Sequence, residues 1–255
     1  MTTARFQRYF DLASLAKVSA GLAVVILIGA AFWMQRGPDP SLMPQVSDVA
    51  VMMPDGRKFY AQKFEVSVAE WNRCHADNGC DLELRPPKGR DAATLPATGL
   101  SYADVVQYVR WINAQVGHPF RLPTVAEWDQ MARAVLPEAA DPLFDDPSLT
   151  WASAYLIKET APRGLRPSGS FATSAEGIVD LNGSVWEWTQ DCYAGDGSRV
   201  PSRCPAFFVG GEHVAAVPFQ VRDPARGGCA VGSPPAHLGM RLVTDHAVPL
   251  ANSAS

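Results

Sequence analysis

Residues 177–191 read GIVDLNGSVWEWTQD, with Gly177, Asp180, Asn182 and Gly183 crowding the first half and Val185, Trp186 and Trp188 the second. Gly, Asn and Asp favour turns because they tolerate left-handed backbone or bond nearby amides with their side chains. β-Branched and aromatic residues suit a pleated, half-buried surface. The stretch therefore predicts a tight turn feeding a strand at Val185–Trp188, with a shorter strand at Ile178–Val179. Trp186 and Trp188 are expected to point to opposite faces of that strand, with Trp188 packing the core.

Upstream, three helix starts are marked. Ser67-Val68-Ala69-Glu70 and Thr124-Val125-Ala126-Glu127 are capping boxes, in which hydroxyl and carboxylate satisfy amides that the first helical turn leaves without partners. Ser101 is a third N-cap, with Leu100 and Val105 placed as a hydrophobic staple. Behind these caps, Val68 and Trp71, then Val105, Tyr108, Val109 and Ile112, then Trp128, Met131, Ala132 and Val135 form apolar faces at helical spacing. Pro137 is expected to stop the third helix, and Leu238–Thr244 to form a closing strand. Helices come early and short strands late, in a chain with 20 Gly and 21 Pro. That order indicates an α+β domain with little regular secondary structure.

Of 255 residues, 47% are hydrophobic and 19% charged, enough apolar material for a sizeable core. The formal net charge is -4 and Lys and Arg form no dense block. Nucleic acid is therefore not expected as a partner, because phosphate binding needs concentrated positive charge. At the N-terminus no charge falls between Lys17 and Arg36, and the interval reads VSAGLAVVILIGAAFWMQ. As a helix this is long enough for a bilayer core of about 30 Å. Arg5, Arg8 and Lys17 before it place the N-terminus in the cytoplasm. The expected organisation is a cytoplasmic segment 1–14, a single-pass anchor 15–35, a linker 36–48 without fixed structure, a domain 49–246 in the periplasm and a flexible tail 247–255. A cleaved signal peptide ending near Gly29–Ala31 is the competing reading, and it exports the domain equally.

Five cysteines fit that compartment. Cys74 and Cys80 are close in sequence, as are Cys192 and Cys204, so each pair suits a local disulfide and leaves Cys229 single.

Three blocks then stand in order: Phe120-Arg121-Leu122-Pro123-Thr124-Val125-Ala126-Glu127-Trp128; Gly169-Ser170-Phe171 with the 177–191 stretch; and Arg226-Gly227-Gly228-Cys229 followed by Leu238-Gly239-Met240-Arg241. They resemble the RLPTEAEWE, GSF with GLYDMxGNVWEWTxD, RGGS and GFR blocks of the formylglycine-generating enzyme (sulfatase-modifying factor) family, and Glu65-Val66-Ser67 resembles its EVT. The resemblance runs from about Phe59 to Val243 and implies a C-type-lectin-like fold. It also implies a calcium ion held by Asp180, the backbone oxygens of Gly183 and Val185, and Glu187, a chemically sensible oxygen set for a hard cation. The residues alone equally allow Asp180 to cap a turn and Glu187 to pair with an arginine such as Arg121. Trp186 matches a tryptophan near the family's active site, which implies that it lines a pocket. Glu127, Trp128 and Trp188 are read as structural, and Arg121, Arg226 and Arg241 as guanidinium clamps that tie carbonyls and carboxylates together.

Active members of the family bind copper(I) through two cysteines shortly after RGGS, soft thiolates suiting that ion. Here Cys229 stands at the serine position, and no second cysteine lies between it and Arg241. Copper is therefore not expected, and Cys229 and Trp186 are the only catalytic candidates. Two functions follow from the resemblance. One is an accessory or peptide-binding factor for an exported protein, as some relatives accompany periplasmic metalloenzymes. The other is an active copper- or iron-dependent oxidase that generates formylglycine or modifies another side chain.

Overall fold

The structure is a computed structural model that describes residues 37–136, 164–193, 204–222 and 237–248. The helices are α1 (Val68–Ala76), α2 (Tyr102–Val116) and α3 (Val125–Ala132). Each opens on a capping box: Ser67 with Glu70, Ser101 with Asp104, and Thr124 with Glu127. The box at Ser101 goes beyond the expected single cap. α3 ends at Ala132, before Pro137 is reached.

The strands are β1 (Val51–Met52), β2 (Lys58–Ala61), β3 (Val185–Tyr193), β4 (Ala206–Gly210), β5 (Ala215–Pro218), β6 (His237–Gly239) and β7 (Val243–Thr244). They form two sheets with orders β1-β2-β7 and β5-β4-β3-β6. All pairings are antiparallel except β3 with β6. The expected closing strand Leu238–Thr244 is thus two strands, one in each sheet. Met240, Arg241 and Leu242 cross between them, all buried. Val185–Trp188 is a strand that runs on to Tyr193, whereas at Ile178–Val179 only a single bridge forms, Val179 to Thr173.

Two apolar clusters result. The larger joins α1 and α2 (Trp71, Tyr108, Trp111, Ile112) to Trp186, Trp188 and Val209. The second joins β1, β2 and α3 through Phe59, Trp128, Met131 and Ile178. Trp186 and Trp188 therefore share a face, correcting their assignment to opposite sides; residues two apart on a strand point the same way. Glu187, between them, faces Trp128.

Two boundaries also shift. The segment read as a linker is structured from Pro40: Pro40–Leu42 is a 3-10 turn, Val46 bridges Gln62, and the Ser47 amide donates to the Ala61 carbonyl at 2.7 Å. Leu42, Met43 and Val46 pack against the larger core, so apolar burial orders this Pro-rich run. In the tail, Val248 packs there too. The expected anchor 15–35 and segment 1–14 lie outside the described residues. Among those described, no helix is long and apolar enough to cross a membrane.

Both expected disulfides are present, Cys74–Cys80 and Cys192–Cys204.

Candidate functional site

Arg241, on the crossing between the sheets, is 0% exposed. Its Nη1 donates to the carbonyls of Gln62 (2.8 Å) and Lys63 (2.6 Å), and its Nη2 to that of Val179 (2.9 Å). Nε and Nη2 donate to Glu187, the shortest contact being 2.8 Å. Glu187 Oε2 also accepts from the indole nitrogen of Trp128 at 2.9 Å. One guanidinium thus joins the chain after β2, the 177–183 turn and β3, as expected of a structural clamp. Burial works against the Arg241 charge, but Glu187 and Glu65 outweigh it and the pKa rises. Glu187 therefore pairs with Arg241, not with Arg121.

Asp180 caps its turn. It adopts φ 67°, a left-handed conformation that Asp tolerates, and its carboxylate accepts from the amides of Gly169 and Phe171. The Gly183 amide donates to the Asp180 carbonyl at 2.8 Å.

Arg121 closes a separate pair nearer the surface. It binds both oxygens of Glu127 (2.7 and 2.8 Å) and reaches Asp245 at 2.6 Å. Burial raises the Glu127 pKa, but the Arg121 hydrogen bonds and the Thr124 amide outweigh it and hold that carboxyl low.

Trp186 lies in the core rather than on an open pocket, with its ring 4.5 Å from that of His213. Trp188 donates to the Leu100 carbonyl at 2.8 Å. Gly210 and Gly211 let Trp128 and Trp186 approach the sheet from its two sides. A Cβ at Gly210 would stand 2.2 Å from the Trp128 ring, and one at Gly211 2.4 Å from that of Trp186. The other catalytic candidate, Cys229, and the expected clamp Arg226 lie outside the described residues.

Sequence reasoning missed the chemistry of Glu65. It is 2% exposed, and its Oε2 has no hydrogen-bond donor; the nearest cationic atom is Arg241 Nη2 at 3.8 Å. Burial, only partly opposed by Arg241, pushes its carboxyl up to about 8. The available signal was a carboxylate between Phe64 and Val66 just ahead of a capped helix. Glu65 also lines a cavity of about 440 Å³ between residues 41–45, α1 and α2.

Residues 15–246 match the model of the sulfatase-modifying factor enzyme 1-like domain. The chain belongs to that family. It is 27% identical over 243 residues to the formylglycine-generating enzyme of Mycobacterium tuberculosis, covering 81% of this chain and 77% of that protein. A mouse protein named inactive C-alpha-formylglycine-generating enzyme 2 is 32% identical over 121 residues, 44% of this chain and 37% of its own. Among solved structures, PvdO from Pseudomonas aeruginosa superposes with a TM-score of 0.52 at 18% identity, covering 82% of this chain and 97% of that one. This is a likeness of fold.

The ions implied by the family resemblance can be tested against the donors present. Both carboxylates expected to hold calcium are already engaged, Asp180 by two amides and Glu187 by Arg241 and Trp128. The Arg241 guanidinium places a positive charge where a metal would need negative oxygen. The arrangement does not fit calcium at Asp180, Gly183, Val185 and Glu187. A two-thiolate copper(I) site does not fit either. The chain has five cysteines, and four are closed in the two disulfides, leaving Cys229.

Proposed function

We propose that this member of the formylglycine-generating enzyme family is held in the cytoplasmic membrane by residues 15–35 and faces the periplasm. There it serves as an accessory, peptide-binding factor for an exported metalloenzyme rather than as a copper oxidase. The observation that carries this reading is the cysteine count: one thiol remains where the family's oxidase chemistry uses two. A single thiolate does not supply the pair of soft ligands that suits copper(I). The mouse relative is named inactive, and this chain is read in the same way. The two disulfides suit an oxidising compartment, as does an N-terminal span preceded by basic residues.

The alternative, an active oxidase, draws on the 27% identity to the M. tuberculosis enzyme. The two readings separate in one assay. Full-length protein supplied with copper(I), oxygen and a cysteine peptide of the sulfatase type is followed by mass spectrometry for the aldehyde. The accessory reading expects the cysteine unchanged. Turnover that disappears in Cys229→Ser would establish the oxidase instead.

A further inference from the structure

The cavity between residues 41–45, α1 and α2 has a volume of about 440 Å³, in the range of small-ligand sites. Leu42, Phe64 and Ile112 are apolar parts of its wall, and Arg73, Ala93 and Thr94 are its exposed rim.

Two nearly buried side chains on that wall carry hydrogen-bonding groups the protein leaves unused. Gln62 is 3% exposed. Its Oε1 accepts from the Leu242 amide at 3.3 Å, which fixes the other end of the side chain as the nitrogen. Among the described residues no acceptor meets that nitrogen. Tyr108 is 2% exposed, its ring stacked on Trp71 at 5.5 Å and tilted against Trp111 at 5.4 Å. Among the described residues its hydroxyl has no hydrogen-bond partner either. Glu65 Oε2 is shut off from solvent, whereas these two atoms keep accessible surface, and the cavity is the space they border. A polar group left without a partner in so enclosed a place costs free energy that a ligand's own polar group recovers.

We infer that this cavity binds an uncharged backbone amide of an extended peptide segment, together with an aliphatic side chain of that segment. The inference rests on the peptide-binding role proposed above and gives that role a site.

Charge decides for an uncharged ligand. Glu70 and Arg73 are the ionised groups on the wall, three apart on α1, where opposite charges offset. Burial pushes the Tyr108 hydroxyl well up, with Glu70 adding to the effect and Arg73 opposing it, so the phenol keeps its proton. Glu65 adds no charge near neutrality, because burial pushes its carboxyl up to about 8. A carboxylate entering here meets Glu70, and an ammonium meets Arg73. A neutral amide meets neither repulsion. Gln62 offers N–H donors to a carbonyl oxygen, and the Tyr108 hydroxyl both donates and accepts. The apolar wall takes the aliphatic side chain out of water.

The test is calorimetric titration of the full chain with N-acetylleucine methylamide, N-acetylleucine and leucine methylamide. The first is uncharged, the second carries a carboxylate and the third an ammonium. The uncharged probe is expected to bind roughly tenfold or more tighter than either charged one, because an ion buried without a partner is costly. Tyr108→Phe keeps the ring and its stack on Trp71, and should weaken the uncharged probe about two- to tenfold, the worth of one hydrogen bond. Ala93→Trp, at the exposed rim, should block entry and keeps the test decisive if Tyr108→Phe fails to fold. No binding by the native protein, equal binding of a charged probe, or affinity unchanged in a folded variant would overturn the site.

The copper and cysteine-peptide assay reads the role separately. Amide binding by a protein that also forms the aldehyde would keep the cavity and overturn the accessory role. No amide binding by a protein without turnover would overturn the cavity and leave the role standing.

Discussion

Two arginine–carboxylate centres sit in the same domain and do different jobs. Arg121 is 27% exposed and ties Glu127, at the head of α3, to Asp245, which is 57% exposed. Arg241 is wholly buried and ties three chain segments to Glu187. At the surface, water can replace the lost partner of Asp245, while Glu127, itself 1% exposed, keeps the Thr124 amide and has Arg57 at 3.8 Å. Around Arg241 nothing replaces a lost partner, so removing one member leaves an unpaired buried charge. The contrast separates a clasp that trims stability from a centre on which the meeting of the two sheets depends.

The strongest way to break the comparison is Arg241→Met, which strands Glu187. It should cost about 3–5 kcal/mol or prevent folding, measured by denaturant unfolding. A loss under about 1 kcal/mol would reduce Arg241 to the rank of a surface pair.

The next effect is read against pH. The Glu65 carboxyl is raised from 4.5 to about 8 in the folded state. The folded protein thus holds a proton that the unfolded chain releases, so this contribution is full below about 4.5 and lost as pH rises through about 8. Thermal stability should fall between about pH 5.5 and 8, and Glu65→Gln should flatten that slope. His118, whose pKa is lowered by burial and by His246, works in the opposite sense around its ordinary value, so the variant comparison isolates Glu65. A slope unchanged in Glu65→Gln would mean that Glu65 is ionised as it stands.

At the surface centre, Arg121→Met should cost about 1–3 kcal/mol, because Glu127 keeps its Thr124 amide while losing two charged hydrogen bonds. Asp245→Asn should cost about 0–1 kcal/mol, a loss that shrinks in salt. The smallest expected effect is none. Excess chelator should leave the melting temperature in place, because Arg241 and backbone amides already occupy the carboxylates a calcium ion would use. A drop abolished by Asp180→Asn would put calcium back in the turn.

How much of this was legible in the sequence depended on range. Capping boxes are local, so α1 and α3 could be placed from Ser67 with Glu70 and Thr124 with Glu127. The disulfides were legible because each pair lies close in sequence. The family blocks supplied the fold, but not who pairs with whom. Glu187 and Arg241 are 54 residues apart, and Arg121 and Arg241 both stand in family blocks, so spacing alone does not choose between them. The strand from Leu238 looked continuous, since nothing local marks the crossing at Arg241 that sends β7 to the other sheet. Pro40–Asp48 read as linker because its polar, Pro-rich composition hides three residues, Leu42, Met43 and Val46, that find a core only in three dimensions. Glu65 was seen as part of a motif. Its missing donor is a fact of packing, which no spacing reveals.

The proposed accessory role requires that the family scaffold be kept without its two-thiolate oxidase centre. Titrating the full chain with copper(I) against a competing chelator, with Cys229→Ser as control, tests it most directly. No tight stoichiometric site is expected, and the same curve for both proteins. Tight one-to-one binding that vanishes in Cys229→Ser would contradict it, making Cys229 a copper ligand and the protein an oxidase candidate again.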